Sequence, residues 1–160
     1  MTTLRSLVWV LTVVGMALAL PVEAKDGKLP RVKPSKVDRS LGKEREAKFG
    51  KWMKGGDFKL EVATRMTKGE KLLYFECEGV KDEWRGIFVR RTAQEGPYFM
   101  AVYGEEAATQ RIAEYAALGY EARFVVVNKN YWCFTLSKGP GTETEAADLA
   151  KLGIGAPEVK

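Results

Sequence analysis

The stretches AEYAALGYEA (Ala113–Ala122) and ADLAKLGIGA (Ala147–Ala156) are near copies of each other, thirty-four residues apart. In each, an alanine-rich run with helical spacing stops at Leu-Gly, and one apolar residue follows, Tyr120 in the first and Ile154 in the second. A glycine just past a helix takes the left-handed conformation that closes it, and the apolar residue beyond seals the last turn. Two helices therefore end here. The first begins after Gly104: Ala108, Ile112, Tyr115 and Leu118 keep the helical period, with Glu105 and Glu106 at its positive end. The second begins at Thr142, which forms a capping box with Glu145 and precedes Ala146, Leu149, Ala150 and Leu152.

Strand patterns surround both helices. YFMAVY (Tyr98–Tyr103) precedes the first. EARFVVV (Glu121–Val127), the turn Asn128–Asn130 and YWCFTL (Tyr131–Leu136) read as a hairpin after it. SKGPG breaks the pattern before the second helix, and GAPEVK supplies a final short strand whose Pro157 suits a sheet edge. The strand starts Tyr98 and Tyr131 are thirty-three residues apart. Two tandem β-α-β units joined by a hairpin predict a βαββαβ, ferredoxin-like sheet with two helices on one face.

Upstream, FKLEVAT (Phe58–Thr64) alternates like a half-buried strand, Thr67–Gly69 makes a turn, and KLLYFECE returns with Leu73, Phe75 and Cys77 on one face and Tyr74, Glu76 and Glu78 on the other. GVKDEWRG reads as a loop or a single helical turn carrying Trp84, IFVRR (Ile87–Arg91) as a third strand, and QEGP (Gln94–Pro97) as a turn. A three-stranded antiparallel β segment is thus expected before the βαββαβ unit. Leu41, Arg45, Phe49 and Trp52, with Met53, place a short basic amphipathic helix before Gly55-Gly56, weakened by Gly42 and Gly50 and docked on the core through Phe49 and Trp52. Lys25–Ser40 is a proline-containing linker.

The first 24 residues read differently. Arg5, the uncharged run Leu7–Leu20 and the small residues around Val22–Ala24 make a secretory signal, with Lys25 as the mature N-terminus. An uncleaved anchor is the alternative. The organisation is then a signal (1–24), a basic linker with a short helix (25–55) and a single α+β domain (56–160), divided into the β segment 56–92 and the βαββαβ unit 98–160. Residues 25–54 hold eleven Lys/Arg against four Asp/Glu, whereas 55–160 hold fourteen against sixteen. The basic character belongs to the linker. In an exported protein it meets anionic wall polymers or lipid headgroups rather than nucleic acid. Membrane contact is expected only through the signal or this basic segment.

The chain has no histidine, which removes histidine-based nucleophile systems and the common zinc sites. No phosphate-binding glycine loop and no CxxC is present. Glu76 and Glu78, on one strand face, are the single carboxylate pair with spacing suited to acid and base work, and solvent-facing acids are the simpler explanation. No enzymatic activity, metal or cofactor is expected. Cys77 and Cys133 are the two cysteines; export makes a disulfide between them plausible, with two buried thiols as the alternative.

The sheet of the C-terminal half is apolar on both faces. Trp132, Phe134 and Leu136 form the face of their strand assigned to the helices, and Tyr131, Cys133 and Thr135 form the other. In the first strand Tyr98, Met100 and Val102 stand opposite Phe99, Ala101 and Tyr103, and in the second Phe124 and Val126 stand opposite Val125 and Val127, apolar on both sides. Something must cover that second face: a glycan stacked on Tyr98 and Tyr131, a second subunit, or the chain's own residues 58–91, which carry Leu73, Phe75 and Cys77. The last is the expectation.

An exported chain ending in this pattern, with Ala107–Leu118, Gly119, Tyr120 and Ala122 at the first helix exit, Gly139-Pro140, and Ala146, Ala147 and Leu152 in the second helix, resembles the SPOR (sporulation-related repeat) domain over Tyr98–Lys160. YFMAVY lacks the Gln and Gly usual in that family's first strand, and Tyr131-Trp132-Cys133 replaces its Tyr-Arg-Val. The resemblance implies a non-catalytic, periplasmic or extracellular envelope module that binds peptidoglycan glycan, with Tyr98, Met100, Tyr131 and Thr135 as the ligand face. The alternative is a secreted protein-interaction or inhibitor-type domain whose sheet face is buried by its own strands and which presents Trp84 and its loop to a protein partner.

Overall fold

The structure is a computed structural model that describes residues 29, 31–92, 98–138 and 142–160. The expected secretory leader (1–24), the expected QEGP turn and residues 139–141 lie outside the described residues, as does the Thr142 side chain of the expected capping box. The elements run β1 (Val32–Lys33), a 3-10 turn (Arg39–Leu41), α1 (Gly42–Glu46), β2 (Met53–Lys54), α2 (Gly55–Thr67), β3 (Glu70–Glu78), β4 (Glu83–Arg90), β5 (Tyr98–Tyr103), α3 (Glu105–Ala117), β6 (Glu121–Asn128), β7 (Tyr131–Ser137), α4 (Thr142–Lys151) and β8 (Glu158–Val159). All ladders are antiparallel, and the sheets are ordered β1-β8, β2-β4-β3 and β5-β7-β6.

The fold is α+β, and the two larger sheets are built alike. Each comes from a β-α-β-β unit in which the first strand pairs with the third. The repeat spans fifty residues: Phe58 and Ala108 are buried at matching helix positions, as are Val62 and Ile112. Gly69 and Gly119 follow the two helices with φ of 79° and 80°. Ladder irregularities fall at Leu73 in β3 and Arg123 in β6. The turn after β3 is two residues longer than the Lys129-Asn130 turn, so the buried Trp84 and Trp132 match at forty-eight.

This repeat is not the one the echoed decapeptides suggest. Both are helix exits as expected: Tyr120 N–H donates to the Tyr115 carbonyl and Ile154 N–H to the Leu149 carbonyl, each at 3.0 Å. Such caps follow any helix closed by glycine. The strand after the second exit does not join the β5-β7-β6 sheet. β8 pairs with β1, and Arg31 and Lys160 exchange backbone hydrogen bonds of 2.9 Å, so a complete four-stranded βαββαβ sheet is not formed. Nor do the two helices share a face. Ala108 and Ile112 of α3 pack with Trp132, Phe134 and Leu136, whereas Leu149 of α4 and Leu152 just past its end pack in the cluster of Leu73, Phe75 and Cys133.

Three further readings change. Phe58–Thr64 is helix: Phe58 and Val62 are buried one turn apart, while Leu60, their partner in a strand, is 68% exposed. Gly55 opens this helix instead of ending the previous one. Its place in the three-stranded β segment is taken by β2. β4 begins at Glu83, so Trp84 is a strand residue in the core and not a loop residue. The basic helix shrinks to α1, whose Arg45 is buried and donates from one Nη atom to the carbonyls of Asp38 and Leu152, 2.7 Å each. The second of these carbonyls belongs to the exit of α4, where a helix leaves acceptors open.

Burial also sets the acid–base behaviour of two tyrosines. Burial, with the Glu76 charge adding to it, raises the Tyr74 phenol well above its ordinary value; burial likewise raises Tyr98. A group whose folded pKa is raised stays protonated after the unfolded chain has ionised. The stability is therefore full below about pH 10 and is lost as pH rises further, at up to ~1.4 kcal/mol per pH unit for each tyrosine. Absorbance titration at alkaline pH is expected to show Tyr74 and Tyr98 ionising only with unfolding. Ionisation of either phenol in the still-folded protein contradicts this.

Candidate functional site

The sheet face holding Tyr98, Met100, Tyr131 and Thr135 is covered by the chain itself. Thr135 is buried, and Tyr98, Met100 and Tyr131 are half-buried against the cluster that contains Leu73, Phe75 and Cys77. Three contacts hold β3 here. Cys77 and Cys133 form a disulfide with Cα atoms 6.3 Å apart. Asn128 Nδ2 donates to the Cys77 carbonyl at 2.7 Å, and Lys129 Nζ pairs with Glu78 at 2.9 Å. Gly79 lies against the Tyr131 ring so closely that a Cβ has no room. The four residues do lie together on one face, as their alternation requires.

Beside this junction lies a buried ionic cluster that the sequence reading missed. Glu145, in the first turn of α4, receives Lys71 Nζ at 3.2 Å, Arg123 Nε at 3.2 Å and Ser137 Oγ at 3.1 Å. All four residues are buried. Arg123 occupies the irregular position of β6, where a bulge re-aims a side chain, and its Nη2 also donates to the Ser137 carbonyl at 3.2 Å. Glu145 read as a cap residue; its helix position was legible, its burial was not. The cluster ties α4 to strands of both sheets.

The second group of polar and aromatic residues lies at the surface, half-buried except for the exposed Trp52 and Glu46. The Arg85 guanidinium lies over the Phe49 ring at 4.1 Å and over the Trp52 ring at 4.6 Å. It donates to both Glu46 oxygens, at 2.5 and 2.8 Å, and to Glu76 at 2.8 Å. The Arg85 hydrogen bond holds the Glu46 carboxyl below its ordinary value. Phe49 turns inward to Tyr74, ring centroids 5.8 Å apart, as expected of a docked aromatic. Trp52 does not follow it and remains 41% exposed, beside a groove lined by Met53, Asp57, Leu60 and Glu83. Trp84 lies inside, with Nε1 donating to Asp82 at 3.0 Å, so the exposed indole is Trp52 and the loop before β2 replaces the loop before β4.

Glu76 and Glu78 each sit beside a cation, Arg85 and Lys129 respectively; Lys129 holds Glu78 below its ordinary pKa. Among the described residues no group of three or more His, Cys, Asp or Glu is placed to hold a metal ion, and no helix is long and apolar enough to cross a membrane. Comparison of the chain with protein-family models, curated proteins and solved structures returns no match.

Proposed function

We propose that this chain is a non-catalytic, exported module of the cell envelope that binds a protein partner through the surface around Trp52. The observation that carries this reading is the covered sheet: the face that a SPOR-like domain offers to glycan is packed under β3 and fastened by the Cys77–Cys133 bridge. The exposed indole of Trp52, backed by Arg85 and flanked by Leu60, is a suitable anchor for a protein interface. The disulfide and the signal-like leader support export; the mature chain then begins at Lys25.

A photo-crosslinker at position 52 or 131 of the exported chain, together with retention on purified peptidoglycan sacculi, tests the reading. A protein adduct is expected from position 52, with about tenfold weaker partner binding in Trp52→Ala, as for an interface tryptophan. Retention on sacculi that depends on Tyr131 replaces this reading with the SPOR-like glycan one.

A further inference from the structure

The fifty-residue repeat exposes a difference between the two halves. In the second half, β5 covers the outer edge of β7 along its whole length, Tyr98 pairing with Ser137 and Tyr103 with Trp132. In the first half the equivalent of β5 is Lys48–Met53: Met53 pairs with Trp84 as Tyr103 does with Trp132. That segment follows β4 only as far as the hydrogen bond from Gly50 N–H to the Gly86 carbonyl, 3.1 Å. It then turns away, because Phe49 packs on Tyr74 and under Arg85. Among the described residues no strand pairs with the outer edge of β4 beyond Gly86. Successive residues of a strand alternate the side to which N–H and C=O point, so Phe88 and Arg90 present theirs to the side on which Gly86 meets Gly50. Among the described residues, no strand residue fills in the first half the positions taken in the second by Tyr98 and Phe99.

The surroundings of this edge are chemically selective. A hollow lined by Leu73, Ile87, Val89 and Leu152 lies alongside it, with Lys48 and Lys151 among its lining residues. Lys48, Arg90 and Lys151 are all exposed; the one acid lining the hollow, Asp148, already pairs with Lys151 at 2.8 Å, and Glu70, opposite Arg90 in the ladder, pairs with Arg65 at 2.8 Å. We propose that the β4 edge at Phe88–Arg90 accepts an extended segment of a partner protein as an added strand, the segment placing an apolar side chain in the hollow and acidic residues against Lys48, Arg90 and Lys151. Backbone hydrogen bonds supply affinity in this mode, and alternate side chains supply specificity. This inference rests on the protein-partner reading above but uses a different surface from Trp52.

The probe is a fluorescein-labelled peptide with the apolar run of Tyr98–Tyr103, the internal counterpart of the missing strand, flanked by two glutamates at each end. Fluorescence anisotropy with the mature, oxidised chain is expected to show saturable binding with a Kd on the order of 10 µM. Arg90→Pro removes an outward N–H from an exposed position without touching the β3 ladder and should weaken binding about tenfold. Lys48→Glu with Lys151→Glu, both at exposed positions that leave the core intact, should weaken it similarly and restore it for a lysine-flanked peptide. Trp52→Ala should leave it unchanged. Absence of saturable binding, or binding indifferent to Arg90→Pro and to the charge reversal, overturns the proposal. So does loss of peptide binding in Trp52→Ala, which moves the site to the other groove, or a dimer of the chain that Arg90→Pro dissociates, which makes a second copy the occupant. A crosslink result that fails at Trp52 while the peptide results hold removes only the earlier surface.

Discussion

Replacing Cys77 and Cys133 together by alanine is expected to lower the unfolding free energy by about 4 kcal/mol, the chain-entropy value for a closed loop of 56 residues. With a total of 5–15 kcal/mol typical for a domain, this is a large share, and it corresponds to a fall in Tm of roughly 10–20 °C. The bridge joins β3 to β7, the central strand of the other sheet, so its removal leaves the two halves joined by packing, the Asn128–Cys77 hydrogen bond and the Glu145 cluster. Thermal unfolding of the double variant against the oxidised protein, followed by circular dichroism, measures the effect. The same comparison bears on function. If the covered face hides a glycan surface, the variant and the reduced protein will gain retention on sacculi, whereas the protein-partner reading expects no gain. A change of Tm below a few degrees shows that packing of Tyr131, Phe75 and Phe124 holds the halves together without the bridge.

Glu145→Gln is expected to cost about 3–5 kcal/mol, the range found when one partner of a buried ion pair is removed. The carboxylate lies 3.2 Å from both Lys71 and Arg123, and each of the three side chains is less than a tenth exposed. The amide keeps the shape and one acceptor for Ser137 Oγ but takes away the negative charge beside two buried cations. Ser137→Ala loses one charge-assisted hydrogen bond to that carboxylate and should cost about 1–3 kcal/mol. Urea unfolding of the three proteins gives the order wild type, Ser137→Ala, Glu145→Gln. A Glu145→Gln protein as stable as wild type means that α4 is held by Leu149 and Leu152 alone.

Much of the secondary structure is legible in the sequence because its causes are local. β3, β5, β6, β7, α3 and α4 follow from alternation, helical period and glycine stops. The face assignment of the C-terminal sheet is also local, since neighbouring residues on a strand point opposite ways: Tyr98, Met100 and Val102 pack with one cluster, and Phe99, Ala101 and Tyr103 with the other. From that two-sided apolarity the expected cover, residues 58–91, follows, and β3 supplies it, with α2 and β4 behind it in the same cluster. Phe58–Thr64 was ambiguous for a physical reason. Phe58 and Val62 are spaced both as alternate strand positions and as one helical turn, and only the exposure of Leu60 separates the two.

The candidate surfaces were less legible. Trp52 and Trp84 are both indoles beside charged residues, and nothing local tells which is wet. Trp84 goes inside because β4 begins at Glu83 and pairs with β3, placing the ring on Phe75, centroids 5.6 Å apart. Glu145 shows its place in a first helical turn but not that Lys71, seventy-four residues earlier, reaches it.

By itself, then, the sequence determined where α3 and α4 stop. Gly119 and Gly153 adopt positive φ there, because a cap needs only half a dozen consecutive residues and one residue without a Cβ; Gly69, read as a turn between strands, does the same after α2. The sequence also determined which residues of each strand share a face. Only the tertiary structure decided which strands meet. The last strand leaves the β5-β7-β6 sheet for β1, where Lys33 and Glu158 pair at 2.9 Å across 125 residues of chain. That choice depends on closing a loop of nearly the whole chain and on surfaces that exist only once both halves have folded, so no window of local sequence contains it.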